Sequence, residues 1–170
     1  DSFYKSLCGA ELEKILETLE YVKHHTNTWL EITNLLIPGK NDSDEEIDRM
    51  TKWVVEHLGH NVPMHFSAFH WKMNEIPATP ELTLRKARRI AMENGVHYAY
   101  TGNISDTAGG STYCHHCGVK VIDRNQYQLG DWHLDASGHC QSCGTQIPGV
   151  FDGPPGTWGA RRLPVRLNSE

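Results

Sequence analysis

Thr28-Trp29-Leu30-Glu31-Ile32-Thr33-Asn34-Leu35-Leu36-Ile37, followed at once by Pro38-Gly39, is the stretch that decides the fold class. It is rich in β-branched and aromatic residues, carries a single charge and stops at a turn pair. Such a run predicts a strand buried on both faces, in the middle of a parallel sheet. On its upstream side, Leu12, Ile15, Leu16, Leu19 and Val22 recur at intervals of three and four within residues 11–24, the spacing of an amphipathic helix. Downstream, Lys40-Asn41-Asp42 reads as a polar loop. Ser43 and Glu46 then have the capping-box spacing that satisfies free amides at a helix start. Ile47, Met50, Trp53, Val54 and Leu58 give that helix its apolar stripe, and Gly59 can end it.

The same alternation continues along the chain. Residues 62–69 predict a second strand. Thr79-Pro80 opens a helix that carries Leu84, Ala87, Ile90 and Ala91 to a stop at Asn94-Gly95, and residues 96–101 predict a third strand. Helix and strand alternating with short loops predict a parallel sheet with crossover helices. Composition changes abruptly over residues 103–111. The expected organisation is therefore an α/β domain over residues 1–105, a cysteine-rich module over 106–150 and an extended tail over 151–170, marked by Gly153, Pro154, Pro155, Gly156 and Gly159. Within the module, Tyr127-Gln128-Leu129 predicts a short strand of a metal-stapled hairpin.

With 170 residues, 38% hydrophobic and 22% charged, the composition is that of a folding globular chain. A net charge of -5 weighs against nucleic acid as a partner. The apolar runs are only a few residues long, so neither a membrane span nor a secretory leader is expected, and the cytoplasm is the expected compartment. The chain opens at Asp1 without a methionine, which raises the expectation that it is the back part of a longer polypeptide.

Cys114-His115-His116-Cys117-Gly118 and Cys140-Gln141-Ser142-Cys143-Gly144 are two knuckles of one pattern, separated by 22 residues. Each turns tightly enough for its two thiolates to face one point, and the glycine lets the chain reverse. Four thiolates fit tetrahedral zinc and leave no open position, so the ion would be structural, stapling a segment too short to build its own core. A rubredoxin-like iron site would use the same geometry, and reduced thiols or redox dithiols are the remaining alternatives. His115, His116, His133 and His139 are expected at the surface or beside the ligands rather than among them. Cys8, alone in sequence, is expected as a packed thiol.

Chemistry in parallel α/β folds gathers at the C-terminal ends of strands. Glu31, Thr33 and Asn34 are polar residues inside an apolar strand, where an unpartnered carboxylate or amide would cost on the order of a few kcal/mol. They are either paired structurally or in contact with a ligand. His70 closes the second strand in a similar place, and His65 alternates away from Phe66. Phosphate loops, serine elbows and metalloprotease motifs are absent from the sequence.

Taken together, Asp1 to Lys5, the stretch Leu30 to Gly39, His65-Phe66-Ser67-Ala68-Phe69-His70, Tyr98-Ala99-Tyr100-Thr101-Gly102-Asn103 and the two knuckles followed by Ile147-Pro148-Gly149-Val150-Phe151 resemble the C-terminal half of the AmmeMemoRadiSam system radical SAM enzymes, which are similar to pyruvate formate-lyase activating enzymes. The resemblance implies half of a partial β/α barrel joined to a zinc ribbon. It also implies a parent protein that holds a 4Fe-4S cluster and S-adenosylmethionine (SAM) and generates a 5'-deoxyadenosyl radical. The family's Cys-x-x-x-Cys-x-x-Cys cluster loop does not occur in this sequence, so these 170 residues alone are expected to be inactive. By the same resemblance His70, and after it Glu31, Thr33 and Asn34, are the expected SAM contacts. The expected partners are the missing N-terminal half or a second copy, with an unidentified protein or small molecule as substrate. A reading of another class is a stand-alone zinc-ribbon module that binds a protein. Its nucleic-acid version is weakened by the balance of Lys120 and Arg124 against Asp123, Asp131 and Asp135.

Overall fold

A computed structural model describes residues 2–70 and 76–151. The chain divides into two compact units, Asp1–Ile104 and Ser105–Glu170. In the first, a short π-helical turn at Tyr4–Cys8 precedes α1 (Leu12–His25), and β1 (Ile32–Leu36), α2 (Asp44–Leu58), β2 (Met64–Ala68), α3 (Glu81–Glu93) and β3 (Ala99–Gly102) alternate after it. The three strands form one parallel sheet in the order β1-β2-β3, with Thr33 opposite His65 and His65 opposite Tyr100.

Period-two alternation gives the sheet two different faces. Leu36, Met64, Phe66, Ala68 and Ala99 are buried together with Ile47, Val54 and Leu58 of α2 and Leu84, Ala87 and Ala91 of α3. This is the hydrophobic core of the unit. The start of α2 is secured as its sequence predicts, with the Ser43 hydroxyl accepting from the Glu46 amide at 3.3 Å. On the other face Thr33 and Leu35 are exposed, while His65, Ser67, Tyr100 and Gly102 are only partly covered.

One sequence expectation is corrected here. The first strand is not central and not buried on both faces: among the described residues it is an edge that pairs only with β2. Its apolar content reflects one buried side and one open side that carries Leu35, and a strand's composition does not report how many neighbours it has. The expected amphipathic helix is present as α1, with its apolar stripe only partly covered and Ile15 39% exposed. Leu19 alone of its stripe packs against the core.

In the second unit, α4 (Thr107–Gly110) leads into an antiparallel sheet of β4 (Thr112–Tyr113), β5 (Lys120–Asn125) and β6 (Gln128–Trp132). The hairpin is tighter than its sequence suggests, since Tyr127 belongs to the turn and Gln126 takes a left-handed conformation with φ of 54°. Cys114, Val121, Leu134, Cys140 and Ile147 are its buried apolar residues. Phe151 packs edge-on to Trp132, with ring centroids 6.5 Å apart. The predicted extended tail beyond Phe151 lies outside the described residues. Among the described residues no helix is long and apolar enough to cross a membrane.

Candidate functional site

The two cysteine knuckles share one backbone geometry. In the first, the Gly118 amide donates to the Cys114 carbonyl and the Cys114 amide to the Val119 carbonyl, both at 2.8 Å. In the second, Gly144 donates to Cys140 and Cys140 to Thr145, again at 2.8 Å. Gly118 and Gly144 close the turns with φ of 74° and 75°, a conformation that costs other residues about 1–2 kcal/mol. Each turn projects two thiols to one side. Bridges between Leu134 and Cys140 and between His139 and Gln146 hold the second knuckle in place.

The result is a cluster of four sulfurs, all within 4.8 Å of one another. Cys114 Sγ lies 3.6 Å from Cys143 Sγ, and Cys117 Sγ lies 3.8 Å from Cys140 Sγ. Four sulfurs placed tetrahedrally at about 2.3 Å from a zinc ion are separated by about 3.8 Å, so the cluster already has the dimensions of a metal site. A disulfide would need about 2.0 Å, and all five cysteines are free. Cys114 and Cys140 are buried, while Cys117 and Cys143 are exposed.

Electrostatics favour a cation here. Cys143 is pulled down to about 6, first by the Thr145 hydroxyl 3.3 Å from its sulfur, then by the Thr145 backbone amide and by neighbouring thiols. At Cys117 a backbone hydrogen bond with Val119 favours the thiolate, but desolvation and the three other cysteines outweigh it and push the thiol up to about 12. The first thiolate makes the next one harder to form, and a bound cation removes that penalty. The cluster therefore suits a divalent or trivalent metal ion held by four sulfurs, with no site left for a reacting ligand. Among the described residues no histidine joins it. His115 and His116 are exposed, and His139 faces the Asp135 carboxylate at 3.3 Å. Cys8, expected to be packed, is exposed instead, because the turn that carries it buries nothing.

The open face and C-terminal edge of the parallel sheet hold the other residues singled out in the sequence. The Glu31 carboxylate accepts from Trp29 Nε1 at 2.8 Å and from His65 Nε2 at 2.6 Å, and the His65 ring stacks on Tyr100 with centroids 4.9 Å apart. Thr33 shares this face. Asn34 does not, since adjacent strand residues point to opposite sides. Its amide nitrogen approaches Met50 Sδ at 3.3 Å on the helix side, and its Oδ1 is buried without a hydrogen-bond partner. His70 is exposed at the end of β2, with Nε2 donating to the Asn103 carbonyl at 2.7 Å, and Asn103 in turn donates to the Ala68 carbonyl at 2.9 Å. Asn103 has a φ of 61°, a left-handed conformation that asparagine tolerates better than most residues.

Two residues that matter at this edge were not singled out by sequence reasoning. The Thr79 hydroxyl donates to the Leu36 carbonyl at 2.6 Å and accepts from the Phe69 amide at 2.9 Å, joining the ends of β1 and β2. Asn41 accepts from the Ile37 amide at 2.7 Å and donates to the Leu35 carbonyl at 2.9 Å. The only signal for either was a polar residue just before or after a turn.

No family model matches the chain. Over 148 residues it is 38% identical to a protein of Methanocaldococcus jannaschii that is named only as uncharacterized, and the match covers 85% of this chain and 44% of that protein. The chain thus spans less than half the length of the curated relative that it matches.

Proposed function

We propose that this chain is the C-terminal part of a radical SAM enzyme of the AmmeMemoRadiSam group. In this reading, β1, β2 and β3 are three strands of a partial β/α barrel, their open face lines its lumen, and Cys114, Cys117, Cys140 and Cys143 hold a structural zinc ion. The observation that carries it is the uncovered sheet face. A parallel sheet is ordinarily covered on both sides or closed on itself, yet here Thr33, Leu35, His65 and Tyr100 remain accessible opposite a well-packed helical side. A preceding segment that supplied further strands would cover that face and pair the free edge of β1. A relative more than twice the length of the matched region is consistent with such a segment.

The four-sulfur site fits zinc in donor type, number and spacing. The iron-sulfur cluster finds no ligands here, because Cys8 is the one cysteine outside the metal site. It would be held by the preceding segment, where its role is to supply the electron for SAM cleavage. Of the expected SAM contacts, His70 and Thr33 keep their place at the edge and on the open face. Glu31 accepts from Trp29 and His65 on the same open face and keeps lone pairs for a further donor, while Asn34 lies on the helix side; both come after His70 in this reading. The expected partner is the segment that completes the barrel, or a second copy in its absence, and the compartment is the cytoplasm.

The test is made on the native gene product that contains this chain, purified without oxygen. It is expected to carry about four irons and one zinc, and to release 5'-deoxyadenosine from SAM when reduced with dithionite. A product that carries zinc but no iron, or that yields no nucleoside, would overturn the reading.

A further inference from the structure

We propose that Glu31 and His65 form a proton-accepting pair on the open sheet face, with His65 Nδ1 as the base, for a small molecule with an apolar body and a hydroxyl group. The inference goes beyond the radical SAM reading and uses residues of β2, β3 and the segment that leads into β1.

The pair is built from three segments of chain. Glu31 precedes β1, His65 sits in β2 and Tyr100 in β3. A carboxylate only accepts hydrogen bonds, so its 2.6 Å contact with Nε2 fixes the imidazole proton on that nitrogen. In the neutral ring the lone pair is then on Nδ1, which has no hydrogen-bond partner among the described residues. The carboxylate is itself restrained, because the Trp29 indole N–H donates to its other oxygen at 2.8 Å. The imidazole plane is restrained by stacking on Tyr100, with an angle of 20° between the rings. A base, an orienting carboxylate and a group that orients the carboxylate are the parts of an acid–base device, with the geometry set before any ligand arrives.

Access and ligand class follow from the surroundings. The His65 side chain is 33% exposed. Trp29, which bonds the same carboxylate, and Leu35, two residues along from the Thr33 that lies opposite His65, are exposed at 41% and 43% and offer apolar surface near the pair. A ligand lying on that surface would present its hydroxyl to Nδ1. The ligand's O–H bond would break, an N–H bond would form at Nδ1, and the electron pair would stay on the ligand oxygen. The imidazolium would be stabilised by Glu31 and would return its proton to solvent.

Long-range 1H–15N correlation of the histidine rings in the whole chain tests this, with phenol as the hydroxyl probe and anisole as its control without a hydroxyl. The expected result is a His65 ring whose proton sits on Nε2 in its neutral form, with an Nδ1 resonance that moves several-fold further with phenol than with anisole. In Glu31→Gln the tautomer preference and the difference between probes should both be lost, while the sheet amides keep their shifts. A His65 protonated on Nδ1 would overturn the proposal, as would equal responses to the two probes or an unchanged tautomer in Glu31→Gln. None of these outcomes depends on iron or SAM, so the radical SAM reading stands or falls separately.

Discussion

Replacing Thr79 by valine tests how the functional edge of the sheet is held. The side chains are nearly isosteric, so no cavity opens, but the hydroxyl that joins β1 to β2 is lost. Thr79 is 5% exposed, and water does not readily replace that hydroxyl. The Phe69 amide loses its acceptor and the Leu36 carbonyl loses a donor. An unpaired buried donor costs about 1–3 kcal/mol, and a carbonyl that keeps a second lone pair for the ladder costs less. The expected loss is therefore about 2–3 kcal/mol. Urea unfolding monitored by circular dichroism would read it as a lower midpoint with an unchanged slope. Hydrogen exchange at the Phe69 amide should accelerate by at least as much as the global loss requires. Thr79→Ser keeps the hydroxyl and gives up one methyl group, so it should cost about 1 kcal/mol. If valine were tolerated within about 0.5 kcal/mol, or if serine proved as harmful as valine, the joining role would be refuted.

Chelating the metal, or replacing Cys140 by alanine, should unfold residues 112–147 while the β1–β3 sheet keeps its amide dispersion. Structural zinc supplies about 10–16 kcal/mol in comparable small modules, and heteronuclear NMR would follow the two units separately. Gly138→Ala should destabilise the second unit far more than Gly118→Ala. Gly138 has a φ of 82° and a Cβ there would run into the Phe151 ring, whereas a Cβ at Gly118 meets nothing within 4 Å and adds only a backbone cost of about 1–2 kcal/mol. Metal retention against a competing chelator would rank the two. The Asp48 carboxyl is held below its ordinary value by Lys52 first and then by Asn94, with hydrogen bonds at 2.8 and 2.9 Å. A lowered folded-state value means that this contribution is present above the unfolded value and is lost as pH falls through the folded one. Asp48→Asn should therefore flatten the acid side of the first unit's stability curve. High salt should shrink the difference, because the pair is exposed.

Local patterns in the sequence carried the elements of the first unit, because the signals that specify them are local. Ser43 and Glu46 set a helix start wherever the helix packs, and the stripe of Ile47, Val54 and Leu58 turns inward against any apolar sheet. The four-cysteine cluster was equally readable, since its spacing encodes a turn geometry and its chemistry is confined to four sulfurs. What failed depended on neighbours far away in sequence. The run from Thr28 to Ile37 reads as buried on both faces, but how many of its sides are covered is decided by chain that packs on it, and Leu35 is left in the open. Strand alternation, a local signal, sets Asn34 on the side opposite Thr33. Thr79 and Asn41 were missed because a polar residue beside a turn has the same sequence signature whether it faces water or bonds two strand ends.

The most direct test of the account is the metal content of the purified chain, read by native mass spectrometry and elemental analysis on one sample. The account predicts one zinc ion per chain, with four cysteines shielded from alkylation and Cys8 modified readily. A chain that binds no metal with all five thiols reactive, or one that carries a disulfide between Cys114 and Cys117, would contradict it. A red protein with one iron would keep the four-sulfur site but refute zinc as its occupant.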